Sequence, residues 1–111
     1  MIDSRGNIFS SGNYVFNEKE EFFQTLYQNQ IIKIERIVSE GHSSPPGFWY
    51  DQDVYEWVLL IQGNAKLRFY DEDEVVNLNP GDYLLIGPHQ KHRVEETASD
   101  METIWLAIFF K

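Results

Sequence analysis

The sequence predicts an all-β fold, an antiparallel barrel or sandwich of short strands. Three observations carry that prediction. From Ile32 onward, apolar runs rich in β-branched and aromatic residues recur at near-regular spacing, separated by Gly, Pro, Asn and Asp clusters. Several of these runs alternate, as in Ala65, Leu67 and Phe69 against Lys66, Arg68 and Tyr70. No strand–helix alternation supports a parallel α/β sheet.

The elements follow in order. Residues 1–17 are polar and turn-rich, with Ser10-Ser11-Gly12-Asn13, and read as an irregular arm. Asn17 followed by Glu20 resembles a helix capping arrangement. Phe22, Phe23, Leu26 and Tyr27 then lie at helical spacing, so a short helix is expected over Glu18–Gln28. Residues 1–30 are thus an arm plus helix, and 31–111 one β unit. Ile32 and Ile34 alternate with Lys33 and Glu35, and Gly41 to Gly47 form a loop with His42 expected at its surface. Val54–Ile61 is an apolar strand ending at the Gln62-Gly63-Asn64 turn. Strands are also expected at 65–70, 75–78, 83–86 and from His92. Thr103–Phe110 is apolar on both faces, which marks a central, doubly covered strand.

Composition bounds the function. The 111 residues suit one domain, and a 42% hydrophobic, 15% aromatic chain can bury a core. The absence of cysteine excludes a disulfide framework, thiol catalysis and thiolate metal sites. A net charge of −9 argues against nucleic-acid partners, which need Lys and Arg clusters. No apolar run is long enough for a transmembrane helix, so no membrane partner is expected. Met1 to Asn7 lacks a secretory pattern, and a cytoplasmic location is expected.

Side-chain direction singles out two residues. Glu56 shares a strand face with Val54, Val58 and Leu60, and a carboxylate on an apolar face needs a partner or a metal. His92 shares a face with Val94. Glu56 could instead pair with Arg36 or Arg93, and His92 could be a hydrogen-bonded core histidine. Trp57 and Trp105 read as core.

Glu56 with Gly63, and Pro80-Gly81-Asp82 with Pro88 and His92, resemble halves of the two cupin motifs. The wider run, including Gly47-Phe48-Trp49-Tyr50-Asp51-Gln52 and Trp105-Leu106-Ala107, is similar to small single-domain bacterial cupins without an assigned reaction. The resemblance implies a cupin-type antiparallel jelly-roll barrel and a homodimer. It also implies Glu56 and His92 as metal ligands. The His-x-His pair that normally precedes the Glu is missing. Counting four residues back puts Trp49 and Asp51 in those slots; counting three puts Tyr50 and Gln52 there. Phe109 stands where such cupins are expected to carry a further His. A site of Glu56 and His92 with Asp51 or Gln52 would suit a divalent transition metal: Fe, Mn, Zn or Ni. Trp49 and Tyr50 are candidates to line a substrate pocket, and His89 to act as an acid/base at its mouth. Two classes of function follow: a metal-dependent enzyme such as an oxygenase or isomerase, or a metal-free domain that binds a small molecule without catalysis.

Overall fold

The computed structural model describes residues 5–10 and 21–111. Eight antiparallel strands form two sheets. They are β1 (Phe22–Gln28), β2 (Ile32–Ser39), β3 (Tyr55–Gln62), β4 (Ala65–Phe69), β5 (Glu74–Leu78), β6 (Tyr83–Ile86), β7 (His92–Thr97) and β8 (Thr103–Phe110). The larger sheet runs β1-β2-β8-β3-β6 and the smaller β5-β4-β7. The sheets face each other as a jelly-roll sandwich that does not close into a continuous barrel.

β8 is central, flanked by β2 and β3 along its whole length, as its apolar run predicts. Between the sheets, Val58, Leu60, Leu67, Phe69, Ile86, Trp105 and Ala107 build the core. Trp57 is not part of it. It lies on the outer face, its ring 5.5 Å from that of Tyr83.

The expected helix is replaced by a strand. Residues 18–20 lie outside the described residues, and Phe22–Gln28 is β1, paired with β2. The cause of the misreading is a register shift between Thr25 and Tyr27. A bulge there breaks the two-residue alternation, so that Phe22, Phe23, Leu26 and Tyr27 mimic a helical stripe. Among the described residues no α-helix occurs, and no helix is long and apolar enough to cross a membrane.

Gly63 turns the chain from β3 in one sheet to β4 in the other. Its φ is +88°, and a Cβ there would lie 2.4 Å from Thr103 Oγ1. Only glycine fits that combination of backbone and neighbour. The 3-10 turn Asp71–Asp73 is exposed.

Arg36 and Arg93 both lie on outer faces, away from Glu56. The Arg36 guanidinium donates to the carbonyls of Asn7, Ile8 and Ser10 and to Gln24, which ties the segment 5–10 onto the larger sheet. Arg93 donates to the Ser44 carbonyl at 2.7 Å and lies over the Trp49 ring. His42 is buried rather than exposed. Its Nδ1 accepts from the Glu40 backbone N–H at 2.8 Å, and its carbonyl accepts from Thr97 Oγ1 at 2.6 Å.

Candidate functional site

Glu56 and His92 reach one point from opposite sheets. Glu56 is the second residue of β3, its side chain directed inward with those of Val58 and Leu60. His92 opens β7 and pairs with the inward Phe69 of β4. Both are buried, at 7% and 5% exposure. His92 Nε2 lies 3.6 Å from Glu56 Oε1, close enough for an ion pair but longer than a hydrogen bond. His92 Nδ1 donates to the Gln90 carbonyl at 2.9 Å. A carbonyl can only accept, so Nδ1 carries the proton and Nε2 is the nitrogen left for chemistry.

The face taken by residues 49–52 is settled by an isolated bridge. Tyr50 N–H donates to the His92 carbonyl at 2.7 Å, and His92 N–H to the Tyr50 carbonyl at 3.1 Å. Tyr50 and Gln52 therefore face the interior. The Tyr50 ring stacks on His92 at 5.4 Å, and Gln52 Nε2 donates to Glu56 Oε1 at 2.9 Å. Trp49 and Asp51 take the opposite side. Trp49 packs edge-on against Tyr70, and Asp51 Oδ1 lies 2.8 Å from His89 Nδ1. The Asp51–His89 pair is exposed and lines neither cavity described below.

Two residues of the site escape the sequence reading. Glu35 is buried on the inner face of β2 and pairs with Lys33 at 3.0 Å. Glu21, just before β1, accepts from the Ser39 hydroxyl, and Ser39 in turn accepts from the Trp105 indole at 3.1 Å. Burial pushes the Glu21 carboxyl above its usual range, against the Ser39 hydrogen bond and nearby His42. The Ile32/Ile34 alternation with Lys33/Glu35 holds the signal for Glu35, with the polar set facing in. Glu21 leaves none, because its position depends on where β1 begins.

These side chains floor a cavity of about 60 Å³, bounded by Glu21, Glu35, Tyr50, Gln52, Glu56 and His92 among others. It continues past Phe23, Glu35, Tyr50, Gln52 and Phe109 into an open mouth of about 620 Å³, which also meets Lys33 and Lys111. Burial, and then the charges of Glu21, Glu56 and Glu35, push the Tyr50 hydroxyl up to about 12.

A transition-metal site needs three or four protein ligands. Glu56 and His92 are spaced as two ligands of one ion could be. The set stops there. Asp51 points away, and Gln52 presents its N–H to the carboxylate rather than its oxygen to a cation. Among the described residues, no three of His, Asp and Glu are grouped to hold a metal. The residues present do not fit a cupin metal centre.

A two-sheet antiparallel sandwich with a polar pair buried at its inner end defines a small jelly-roll domain. The chain belongs to the cupin family: the cupin domain matches residues 36–109. A crystal structure from Ralstonia eutropha JMP134, provisionally assigned as a mannose-6-phosphate isomerase, is 37% identical. The match covers 96% of this chain and 97% of that one, with a TM-score of 0.88. A cupin superfamily protein from Desulfitobacterium hafniense DCB-2 shares the fold at 20% identity and TM-score 0.74, covering 99% of this chain and 94% of that one. L-ectoine synthase of Rhodococcus opacus (strain B4) is 45% identical over 40 residues. That stretch is 36% of this chain and 30% of the synthase. Cupins often bind transition metals, which makes the donor set found here a departure.

Proposed function

We propose that this chain is a cupin that binds a small organic molecule between its sheets without a metal. Glu56 and His92 hold the ligand's polar end. One observation carries the reading. The Glu56 oxygen facing His92 is occupied by the Gln52 amide N–H, so an amide stands where a further ligand would be needed. Turning that amide would set its oxygen against the carboxylate and leave a buried acceptor unsatisfied. His92 Nε2 and the second Glu56 oxygen remain to exchange hydrogen bonds or a proton with a bound molecule. The isomerase and synthase relatives make small-molecule chemistry at such a site reasonable, and the departure in donors argues for binding or proton transfer over oxygen activation.

Metal content of untagged protein after incubation with Fe, Mn, Ni and Zn tests this. The expected result is a substoichiometric metal content that Glu56→Ala and His92→Ala leave unchanged. A stoichiometric metal lost in both variants would sink the reading and restore Gln52 and Asp51 as ligand candidates.

We further propose a homodimer that buries the outer face of the larger sheet. Trp57, Leu59, Tyr83, Leu85, Leu106 and Ile108 share that face, with Tyr83 65% and Leu85 53% exposed. The three strands that carry them, β3, β6 and β8, give a footprint of about 300 Å² at ordinary strand spacing, an apolar centre for the roughly 800 Å² per partner that stable complexes bury. A self-complementary apolar face closes as a two-fold pair. Light scattering coupled to size exclusion reads the outcome; a monomer at micromolar concentration would refute it.

A further inference from the structure

We infer that the cavity takes a zwitterion of the amino-acid kind, its ammonium end inward between Glu35 and Glu56 and its anionic end at the mouth. The inference rests on the small-molecule reading above and adds the ligand's charge and direction.

The cavity is graded in polarity along its depth. Its floor carries the carboxyl groups of Glu21, Glu35 and Glu56, and among the described residues no Lys or Arg lines it. The lysines that line the cavity, Lys33 and Lys111, belong to the mouth. Arg36 and Arg93 are committed to backbone carbonyls on the outer faces. Glu35 and Glu56 are each more than nine-tenths buried. A carboxylate that deep requires a compensating charge. Lys33 reaches Glu35 from the rim, while Glu56 has a neutral amide and an imidazole nitrogen 3.6 Å away. Two such carboxylates share one lysine that reaches in from the mouth, so the floor is short of positive charge.

Shape and walls agree with the charge count. About 60 Å³ is roughly the share of two water molecules, so only a small head group enters. Phe23, Tyr50 and Phe109 wall the passage between floor and mouth, and aromatic faces favour a cation passing over them. Burial pushes the Tyr50 hydroxyl up first, and the charges of Glu21, Glu56 and Glu35 add to it. A phosphate or carboxylate at the floor would meet no Arg or Lys of the kind that recognises it. The mouth sets Lys33 and Lys111 beside Glu35 and Asp53, so positive charge is available there and not at the floor. Lys33 lies over the Phe109 ring at 5.9 Å and Lys111 lines the same opening, so an anionic group is matched there.

Equal-length probes separate the possibilities. Amide and indole NMR signals of Tyr50, Gln52, His92 and Trp105 are followed on titration with 4-aminobutanoate, 1,4-diaminobutane, 1,4-butanediol, butanedioate and mannose 6-phosphate. 4-Aminobutanoate is expected to bind at least about tenfold more tightly than the diol, with the diamine between them. Butanedioate and mannose 6-phosphate are expected to leave the floor signals unmoved. Glu35→Gln should weaken 4-aminobutanoate by at least about tenfold while sparing the diol. If the diol, butanedioate or mannose 6-phosphate matches 4-aminobutanoate on the wild-type protein, the charge assignment is overturned and the small-molecule reading stands. Silence from all five probes overturns both.

Discussion

On the smaller sheet, Leu67, Phe69 and Val94 face inward, while Lys66, Arg68, Arg93, Glu95 and Glu96 face out in a set of ion pairs. On the larger sheet the inner face is apolar at Ile37, Val58, Leu60, Ile86, Trp105 and Ala107, but that order is broken by two buried carboxylates and by an apolar outer face. Glu35 and Glu56 face inward, and Tyr55, Trp57, Leu59, Tyr83, Leu85 and Ile108 face out. The first arrangement is what an antiparallel sheet with one face in water requires. The second costs free energy on both faces unless something offsets it. On the function proposed above, the offset inside is a ligand held in the polar cavity, and outside it is the proposed dimer partner. The smaller sheet contributes to the candidate site chiefly His92, whereas the larger one carries the carboxylates, so the sheet that breaks the usual alternation supplies most of the site's charged groups.

The contrast can be broken in graded steps. Trp105 lies on the inner face of the larger sheet beside the carboxylates, yet belongs to the packed core. Trp105→Ala is expected to cost about 3–5 kcal/mol in denaturant unfolding, as large-to-small core changes do. A cost below about 1 kcal/mol would mean that the interior beside the carboxylates is not packed as a core. Gly63→Ala, at the join between the sheets, is expected to cost about 1–3 kcal/mol, because the added Cβ meets Thr103 at a positive φ.

The outer faces sharpen the comparison further. Trp57→Glu combined with Leu85→Glu should convert the proposed dimer to a monomer with the strand content unchanged by circular dichroism. The mirror change on the smaller sheet, Lys66→Ala, removes a 3.8 Å pair between exposed groups. It should shift stability by no more than about 0.5 kcal/mol and leave the mass unchanged.

Glu21 supplies a pH test on the inner face. Its folded-state pKa is raised, so the stability it contributes is complete at acid pH and is lost as pH rises through the raised value. Glu21→Gln keeps an acceptor for Ser39 and cannot ionise. Thermal unfolding should show the variant gaining on wild type from acid toward neutral pH. A constant difference across that range would contradict the burial of an ionisable Glu21.

Legibility in the sequence followed how local each feature is. β3, β4, β6, β7 and β8 were readable because their alternation and turn residues are written within each segment. β1 was not, because its bulge near Leu26 exchanges one phase of the alternation for another, and only pairing with β2 shows which side each residue takes. Glu56 and His92 were legible as inward polar residues. The choice between Asp51 and Gln52 was not, since a one-residue offset in an irregular segment leaves both directions open. The backbone bridge between Tyr50 and His92 decides it.

Taken alone, the sequence determined the strand grammar, the turns that separate the strands and the two polar residues aimed inward, because side-chain direction along a strand is a local property with a period of two. Tertiary structure decided that Gln52 rather than Asp51 meets Glu56, that Glu35 and Glu21 join them, and that Arg36 and Arg93 do not. Those outcomes depend on register between strands distant in sequence, and a shift of one residue would move every side chain to the other face.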